Sequence, residues 1–308
     1  MQGTHNETIS GYLHSSYAGS LAEFGRPRAL PRCGGWVLDR TIPGVSFRDA
    51  MGCYPMFACR DWSQLEADLA DAAADLVCLY MVTDPFGEYD RALLDRCFED
   101  KVIAFKEHFC VDLSRAPNDF VCRHHQRYAH KALKLLDVEE CRNSTEFLDD
   151  WIRLYEHLIQ RHGITGIAAF SRNAFARQLE VPGLAAFRAS YRGTLVGMLL
   201  WYIQGDVAYY HLGAHNPLGY ETHSSFALFW HAIECFMAGG LKWLNLGAGI
   251  GGDATDGLSR FKKGWSTGTR TAYFCGRILD WGKYTEIVKA RGIANTEYFP
   301  AYRTGEFG

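Results

Sequence analysis

The chain has 308 residues, 48% of them hydrophobic and 22% charged, with nine prolines. That composition excludes a disordered, collagenous or fibrous chain and leaves one large domain or two of ordinary size, each able to bury a core. A net charge of −3, from 35 acids and 32 bases, excludes a whole-surface polycation built for nucleic acid and leaves room for a local basic patch.

The first 35 residues are rich in Gly, Ser, Pro and Arg and read as an irregular leader, followed by a first lobe over residues 36–136. Trp36 to Ile42 and Leu76 to Val82 are β-branched or aromatic runs bounded by turn residues, which predicts strands. Asp61 to Ala74 and Asp90 to Phe98 have helical spacing, and Val102 to Leu113 is a further strand. Ser114, with Pro117 and Asp119 behind it, opens a long basic helix to about Leu136.

A second lobe over residues 137–308 has sharper signals. Asn143-Ser144-Thr145-Glu146 caps a helix whose apolar positions Phe147, Trp151, Leu154 and Leu158 fall three and four apart, and Gly163 ends it. Three strands follow, Ala185–Tyr191, Leu195–Ile203 and Val207–Gly213, divided by turns so short that they must form an antiparallel meander. Phe226, Phe229, Trp230, Ile233, Phe236 and Met237 then mark a buried helix from Ser224 to the stop at Gly239-Gly240. A strand (Lys242 to Leu246), a glycine-rich loop (Gly247 to Gly257), a short basic helix (Leu258–Gly264) and a last strand (Arg270–Ile278) complete an α+β order with mixed pairing.

The ten cysteines form no C-x-x-C pair and lie mostly in apolar or helical stretches, as reduced buried thiols of a cytoplasmic protein do. Met1-Gln2-Gly3-Thr4-His5 lacks the basic-then-apolar profile of a signal peptide, and runs such as Met198 to Ile203 are too short to span a bilayer.

The order of elements resembles that expected of the GNAT acyltransferase fold. Gly257-Leu258-Ser259-Arg260-Phe261-Lys262-Lys263-Gly264-Trp265, after the strand behind the long helix, resembles the ending of the Fem-type (FemABX-like) branch. Val111-Asp112-Leu113-Ser114 leading into Arg127-Tyr128-Ala129-His130-Lys131-Ala132 resembles that branch's passage from strand to basic helix. Over roughly residues 100 to 285 the resemblance implies an α+β fold of two GNAT-like lobes, mixed central sheets flanked by helices, the first lobe degenerate. It also implies amide-bond formation, with an aminoacyl group moved from aminoacyl-tRNA to an amine of a peptide, cell-wall precursor or small molecule. Other GNAT-fold members use acyl-CoA or acyl-carrier thioesters, so the donor has to be argued from sites.

Acyl transfer to an amine needs a held donor, a neutral amine and a stabilised oxyanion. CoA-dependent GNATs hold pyrophosphate on an Arg/Gln-x-x-Gly-x-Gly/Ala loop ahead of the long helix. The matching stretch, Asn216-Pro217-Leu218-Gly219-Tyr220-Glu221, keeps Gly219, lacks the leading Arg or Gln, and sets an acid where the pyrophosphate would lie. Thr222, His223 and Ser224 open the long helix and are candidates either for donor binding or for simple capping. By resemblance the family's Phe-Lys pair falls on Phe261 and Lys262, and a fixed Lys262 ammonium would stabilise the oxyanion or a donor phosphate. Arg260 and Lys263 beside it are donor-binding candidates or a solvated helix face. Trp265 stands where the family often has Phe.

Residues 257–292 hold eight Lys or Arg against Asp280 and Glu286, and Arg123 to Lys134 adds a second basic stretch, which suits a phosphate-bearing partner such as tRNA. No RNA-binding motif, no long coiled-coil arm and no sign of a DNA partner accompanies them. His211 and His215, at the end of a cleft-lining strand, and His223 are the residues able to take a proton near neutrality, or else are structural histidines. Cys122, His124, His125 and His130 have the spacing of neither a zinc finger nor a helical His pair, so no metal is expected. Gly247-Ala248-Gly249-Ile250-Gly251-Gly252 follows a strand without a Rossmann helix behind it and reads as an active-site loop.

The expectation is an amide-forming N-acyltransferase without a covalent enzyme intermediate or resident cofactor. Aminoacyl-tRNA is the favoured co-substrate, an acyl-CoA or carrier-protein thioester the alternative, and a non-catalytic protein that binds a precursor the second alternative. The transferred group, the acceptor and the oligomeric state leave no pattern in the sequence.

Overall fold

The computed structural model describes residues 9–249, 256–294 and 296–306, without the side chains of Ser144 and Thr145. The expected features at Met1–His5, at Ile250 to Thr255 of the glycine-rich loop, and in the Ser144 and Thr145 side-chain caps lie outside these residues. The first half carries α1 (Ser15–Ser20), β1 (Arg26–Leu30), β2 (Gly35–Thr41), β3 (Arg48–Gly52), α2 (Leu65–Ala72), β4 (Cys78–Val82), α3 (Arg91–Cys97), β5 (Lys101–Asp112), α4 (Pro117–Phe120) and α5 (Arg123–Leu133). The second half carries β6 (Asp137–Glu140), α6 (Leu148–His162), α7 (Arg172–Leu179), β7 (Leu184–Tyr191), β8 (Thr194–Gln204) and β9 (Val207–His215). After these come α8 (Pro217–Glu221), α9 (Ser224–Ala238), β10 (Trp243–Asn245), α10 (Gly257–Lys263), β11 (Gly268–Ile278) and α11 (Trp281–Ala290).

The chain forms two compact units. Unit one comprises Met1–His14 with Glu107–Arg270, and unit two comprises Ser15–Lys106 with Thr271–Gly308. In unit one the strand order is β5-β10-β9-β8-β7-β6, and in unit two it is β1-β2-β3-β4-β11. Both sheets are mixed and built alike. Three antiparallel strands lead through a helix to a fourth strand parallel to the third, and a fifth pairs antiparallel with the fourth. The crossover helix is α9, fifteen residues long, in unit one and the eight-residue α2 in unit two. This is the expected α+β architecture, with mixed strand pairing and helices.

The units do not divide at residues 36 and 137, where the sequence suggests boundaries. Each takes its fifth strand from the other half of the chain: β5 follows β4 yet pairs β10 in unit one, and β11 follows β10 yet pairs β4 in unit two. The supposed leader also carries structure. Tyr12 is buried in unit one, and β1 is a strand of unit two.

The cores follow the apolar patterns. The α9 helix buries Ala227, Leu228, Phe229, Ala232, Ile233 and Phe236 with Trp201, Phe187, Leu244 and Trp265. The α6 helix stops at Gly163, which takes φ +61° as its C-cap. The long basic helix expected over Ser114 to Leu136 is broken in two, because Val121 and Cys122 are extended between α4 and α5 and the Cys122 N–H donates to Gly264 O (2.9 Å). In unit two, buried Asp49 accepts two bonds from the Arg303 guanidinium (2.6 and 2.8 Å) and one from the Tyr302 hydroxyl (3.1 Å), pinning the C-terminal segment to β3. Among the described residues no helix is long and apolar enough to cross a membrane.

Candidate active site

Of the site candidates of unit one, Lys262 stands where two parallel strands part. The β10 strand pairs β9 only over Trp243–Asn245 against Val207–Tyr209. Beyond it the chain keeps to β5 instead, with Leu246 N–H on Phe109 O and Phe109 N–H on Gly247 O, while β9 runs on to His215 along β8. A bulge widens the break: Leu200 pairs Leu212 and Trp201 pairs Tyr210, so His211 is the extra residue.

Lys262 stands at this break. It is 6% exposed, its Nζ donates to Ala248 O (2.6 Å), and it lies 5.6 Å from the Tyr210 ring centroid. The backbone under it has left-handed φ (+72°) at Gly247, where a Cβ would come within 3.1 Å of Nζ. At Gly249 a Cβ would overlap Ser259 Oγ at 1.8 Å, so only glycine lets the loop pass. Asn245 holds the loop from below, its Oδ1 accepting from Gly247 N–H (2.8 Å) and from His108 Nδ1–H (3.0 Å). Asp256 caps α10 through the N–H groups of Leu258 and Ser259 and the Ser259 hydroxyl (2.5 Å). Tyr210, Asn245 and His108 were not expected from the sequence, whereas Ala248 belongs to the glycine-rich stretch read as an active-site loop. Asn245 was the readable one, as the polar residue inside an apolar strand.

Phe261 anchors the helix and does not face this space. Its ring packs on Phe226, Phe229 and His125 at centroid distances of 5.2, 5.1 and 5.4 Å, and its carbonyl accepts from His125 Nε2–H (3.0 Å). His125 Nδ1 therefore accepts from the Cys122 thiol (2.9 Å), and burial holds its pKa down to about 4. Arg260 and Lys263 point outward, exposed.

The histidines are not brought to Lys262. His211 lies on the opposite face of β9 and is buried. Its Nε2–H donates to Gln178 Oε1 (3.2 Å), so its Nδ1 accepts from the Tyr12 hydroxyl (3.0 Å), and burial depresses its pKa to about 3. His215 is bonded through Nδ1 to Ser224 Oγ (2.8 Å), and burial holds it at about 4. Both stay neutral at physiological pH with protein partners on the nitrogens described.

The stretch ahead of α9 is a helical turn rather than an open anion loop. The N–H of Gly219 donates to Asn216 Oδ1, that of Tyr220 to Asn216 O, that of Thr222 to Leu218 O and that of His223 to Tyr220 O. Thr222 Oγ1 also turns inward, to Leu218 O (2.7 Å), and Ser224 is fully buried. Gly219 is needed for packing, since a Cβ there would lie 2.1 Å from Val196 O. His223 alone of these three keeps an accessible ring, T-shaped on Tyr128 (4.5 Å). Among the described residues no three His, Cys, Asp or Glu side chains converge as a metal site would require.

Residues 121–263 match the model of the family described as acetyltransferase (GNAT) domain. No curated protein matches the sequence. Among solved structures the chain is similar to FemX, at 14% identity and TM-score 0.68, over 92% of this chain and 96% of that one. It is similar to the C-terminal domain of a lysylphosphatidylglycerol synthetase from Agrobacterium fabrum (15%, 0.59, over 90% and 93%). It is similar also to L-PGS from Bacillus licheniformis (16%, 0.55, over 94% and 100%).

Proposed function

We propose that this chain, which carries a GNAT domain within a FemX-like fold, is an amide-forming N-acyltransferase whose donor is aminoacyl-tRNA and whose acceptor is a small or peptide amine. The observation that carries the reading is Lys262, a buried side chain fixed at the break between β9 and β10. The acceptor nitrogen attacks the ester carbonyl, the Lys262 ammonium stabilises the tetrahedral oxyanion, and the C–O bond to the ribose breaks as the C–N bond forms. The proton lost by the amine ends on the departing ribose hydroxyl. His211 and His215 take no part in that transfer, since both are buried, His211 bonded on both ring nitrogens and His215 bonded to Ser224. The chain's role is to fix the cation and the loop beneath it, so no resident cofactor or metal enters the step. The ten free cysteines suit a reducing cytoplasm.

The turn over Asn216–Glu221 supports this donor over a CoA thioester, because the amides of Asn216, Gly219 and Tyr220 are already bonded within the chain. The discriminating measurement is the melting midpoint of the whole protein with uncharged mixed tRNA or with CoA at matched ionic strength. A salt-sensitive rise with tRNA alone is expected, and a rise with CoA alone would overturn the donor. Transfer assayed with mixed aminoacyl-tRNA and a pool of amines and peptides should fall at least about 100-fold in Lys262→Met, with the melting midpoint of the variant close to wild type. An unchanged rate would remove Lys262 from the chemistry, and tight amine binding without turnover by the wild type would favour a precursor-binding protein.

A further inference from the structure

The α5 helix presents a face that the reaction at Lys262 does not use. Its eleven residues, Arg123-His124-His125-Gln126-Arg127-Tyr128-Ala129-His130-Lys131-Ala132-Leu133, contain no acid, and they extend about 16 Å. His125, Ala129 and Ala132 point into the core, which leaves Arg123, Arg127 and Lys131 exposed along the outer side, with Lys134 just beyond. The bonds from Cys122 N–H to Gly264 O and from His125 Nε2–H to Phe261 O tie the start of α5 to the end of α10, which adds the exposed Arg260 and Lys263 next to that end of α5. None of these six cations lies within 4.0 Å of a carboxylate among the described residues, although most arginines of unit two are paired.

Rings lie among the charges. Tyr128 stands between His124 (4.6 Å) and His223 (4.5 Å), with Phe226 at 5.3 Å behind it and the Arg127 guanidinium 5.4 Å from its ring. Burial first, and then the nearby Lys131 and His124, depress the His223 pKa, so these groups lie close together. Desolvating such a set of unpaired cations is unfavourable unless an anion replaces the water, and rings between them suit flat bases rather than lipid headgroups.

We infer that this face of α5, α9 and α10 binds a single-stranded polynucleotide end, its phosphates on Arg123, Arg127, Lys131 and Lys263 and a base stacked at Tyr128 and His124. The inference rests on the reading that the donor is an RNA. Binding is sequence-tolerant, because phosphates and ring faces are common to all nucleotides, and it is steep in salt.

The test is fluorescence anisotropy of the full chain with a labelled, deacylated RNA hairpin bearing a single-stranded 3′ end, titrated at several salt concentrations. Arg127→Gln and Lys131→Gln should each weaken binding and lower the slope of log affinity against log salt by about 0.7. Tyr128→Leu should weaken it about tenfold with the slope unchanged. Lys289→Gln, which removes the same charge from exposed α11 in unit two, should change nothing. Face variants that bind RNA as wild type does, or a chain that ignores RNA and binds vesicles containing phosphatidylglycerol, would overturn the inference. RNA binding through the face without aminoacyl transfer would remove the proposed reaction and keep the face. Aminoacyl transfer that the face variants leave unchanged would keep the reaction and overturn the face.

Discussion

His211 is bonded on both ring nitrogens and buried, and that burial makes it a liability in acid. Its pKa of about 3, and those of about 4 for His215 and His125, lie below the ordinary 6.5 because burial disfavours the charged ring. The unfolded chain therefore binds more protons than the native one between pH 6.5 and about 4, and stability falls as pH falls through that window. Each group contributes up to about 1.4 kcal/mol per pH unit. Thermal melts should show a midpoint that is level above pH 7 and drops steeply below pH 6, and His215→Gln should flatten the drop by one proton's worth of slope. A midpoint indifferent to pH from 7 to 4.5 would refute the burial of these rings.

At the scale of elements, the position of Lys262 depends on a seven-residue helix that would not hold alone. Asp256 starts α10, Phe261 packs it against α9, and His125 fastens its end to α5. Replacing Asp256 with alanine removes the bonds to Leu258, Ser259 and the Ser259 hydroxyl and should cost about 1 kcal/mol. The cost is local, so amide exchange should quicken over residues 257–263 and the transfer rate should fall while the global melting midpoint moves little. Unchanged exchange there would mean that packing by Phe261, rather than the cap, sets the position of Lys262. The glycine-rich loop matters at this scale too, since Gly247 and Gly249 let the backbone pass under the ammonium.

At the scale of the whole molecule, chain order and spatial order part company. The fifth strand of each sheet comes from the opposite half of the sequence, and Tyr12, near the start, completes the core of unit one against Tyr202, Tyr209 and His211. Removing Met1–His14 takes away that ring and should cost about 3–5 kcal/mol, as deletion of a large buried aromatic does. Tyr12→Phe keeps the ring, loses the hydroxyl bonded to His211 and should cost about 1 kcal/mol. Chemical denaturation of the three proteins checks the order, and a truncated chain as stable as the full one would show that the segment is a passenger. Cutting at residue 136 should fail for the same reason, because it strands β5 away from β10.

What the residues alone determined was local: the stripe of α9, the stop at Gly163, the meander set by two short turns, and the basic helix that carries Lys262. These follow from periodicity, capping and turn chemistry, which act over a few residues. Only the tertiary structure decided which strand each unit takes last, that Cys122 breaks the basic helix, and that His211 and His215 are core groups while Lys262 meets Tyr210 and Ala248. Pairing of distant strands depends on which faces bury together, and a histidine in a strand has the same local neighbours whether it lines a cleft or a core. Tyr209 and His211 both pack on Tyr12, so the ordinary alternation of a strand sets His211 on the face away from Tyr210, and no local pattern in the sequence says which of the two faces adjoins Lys262.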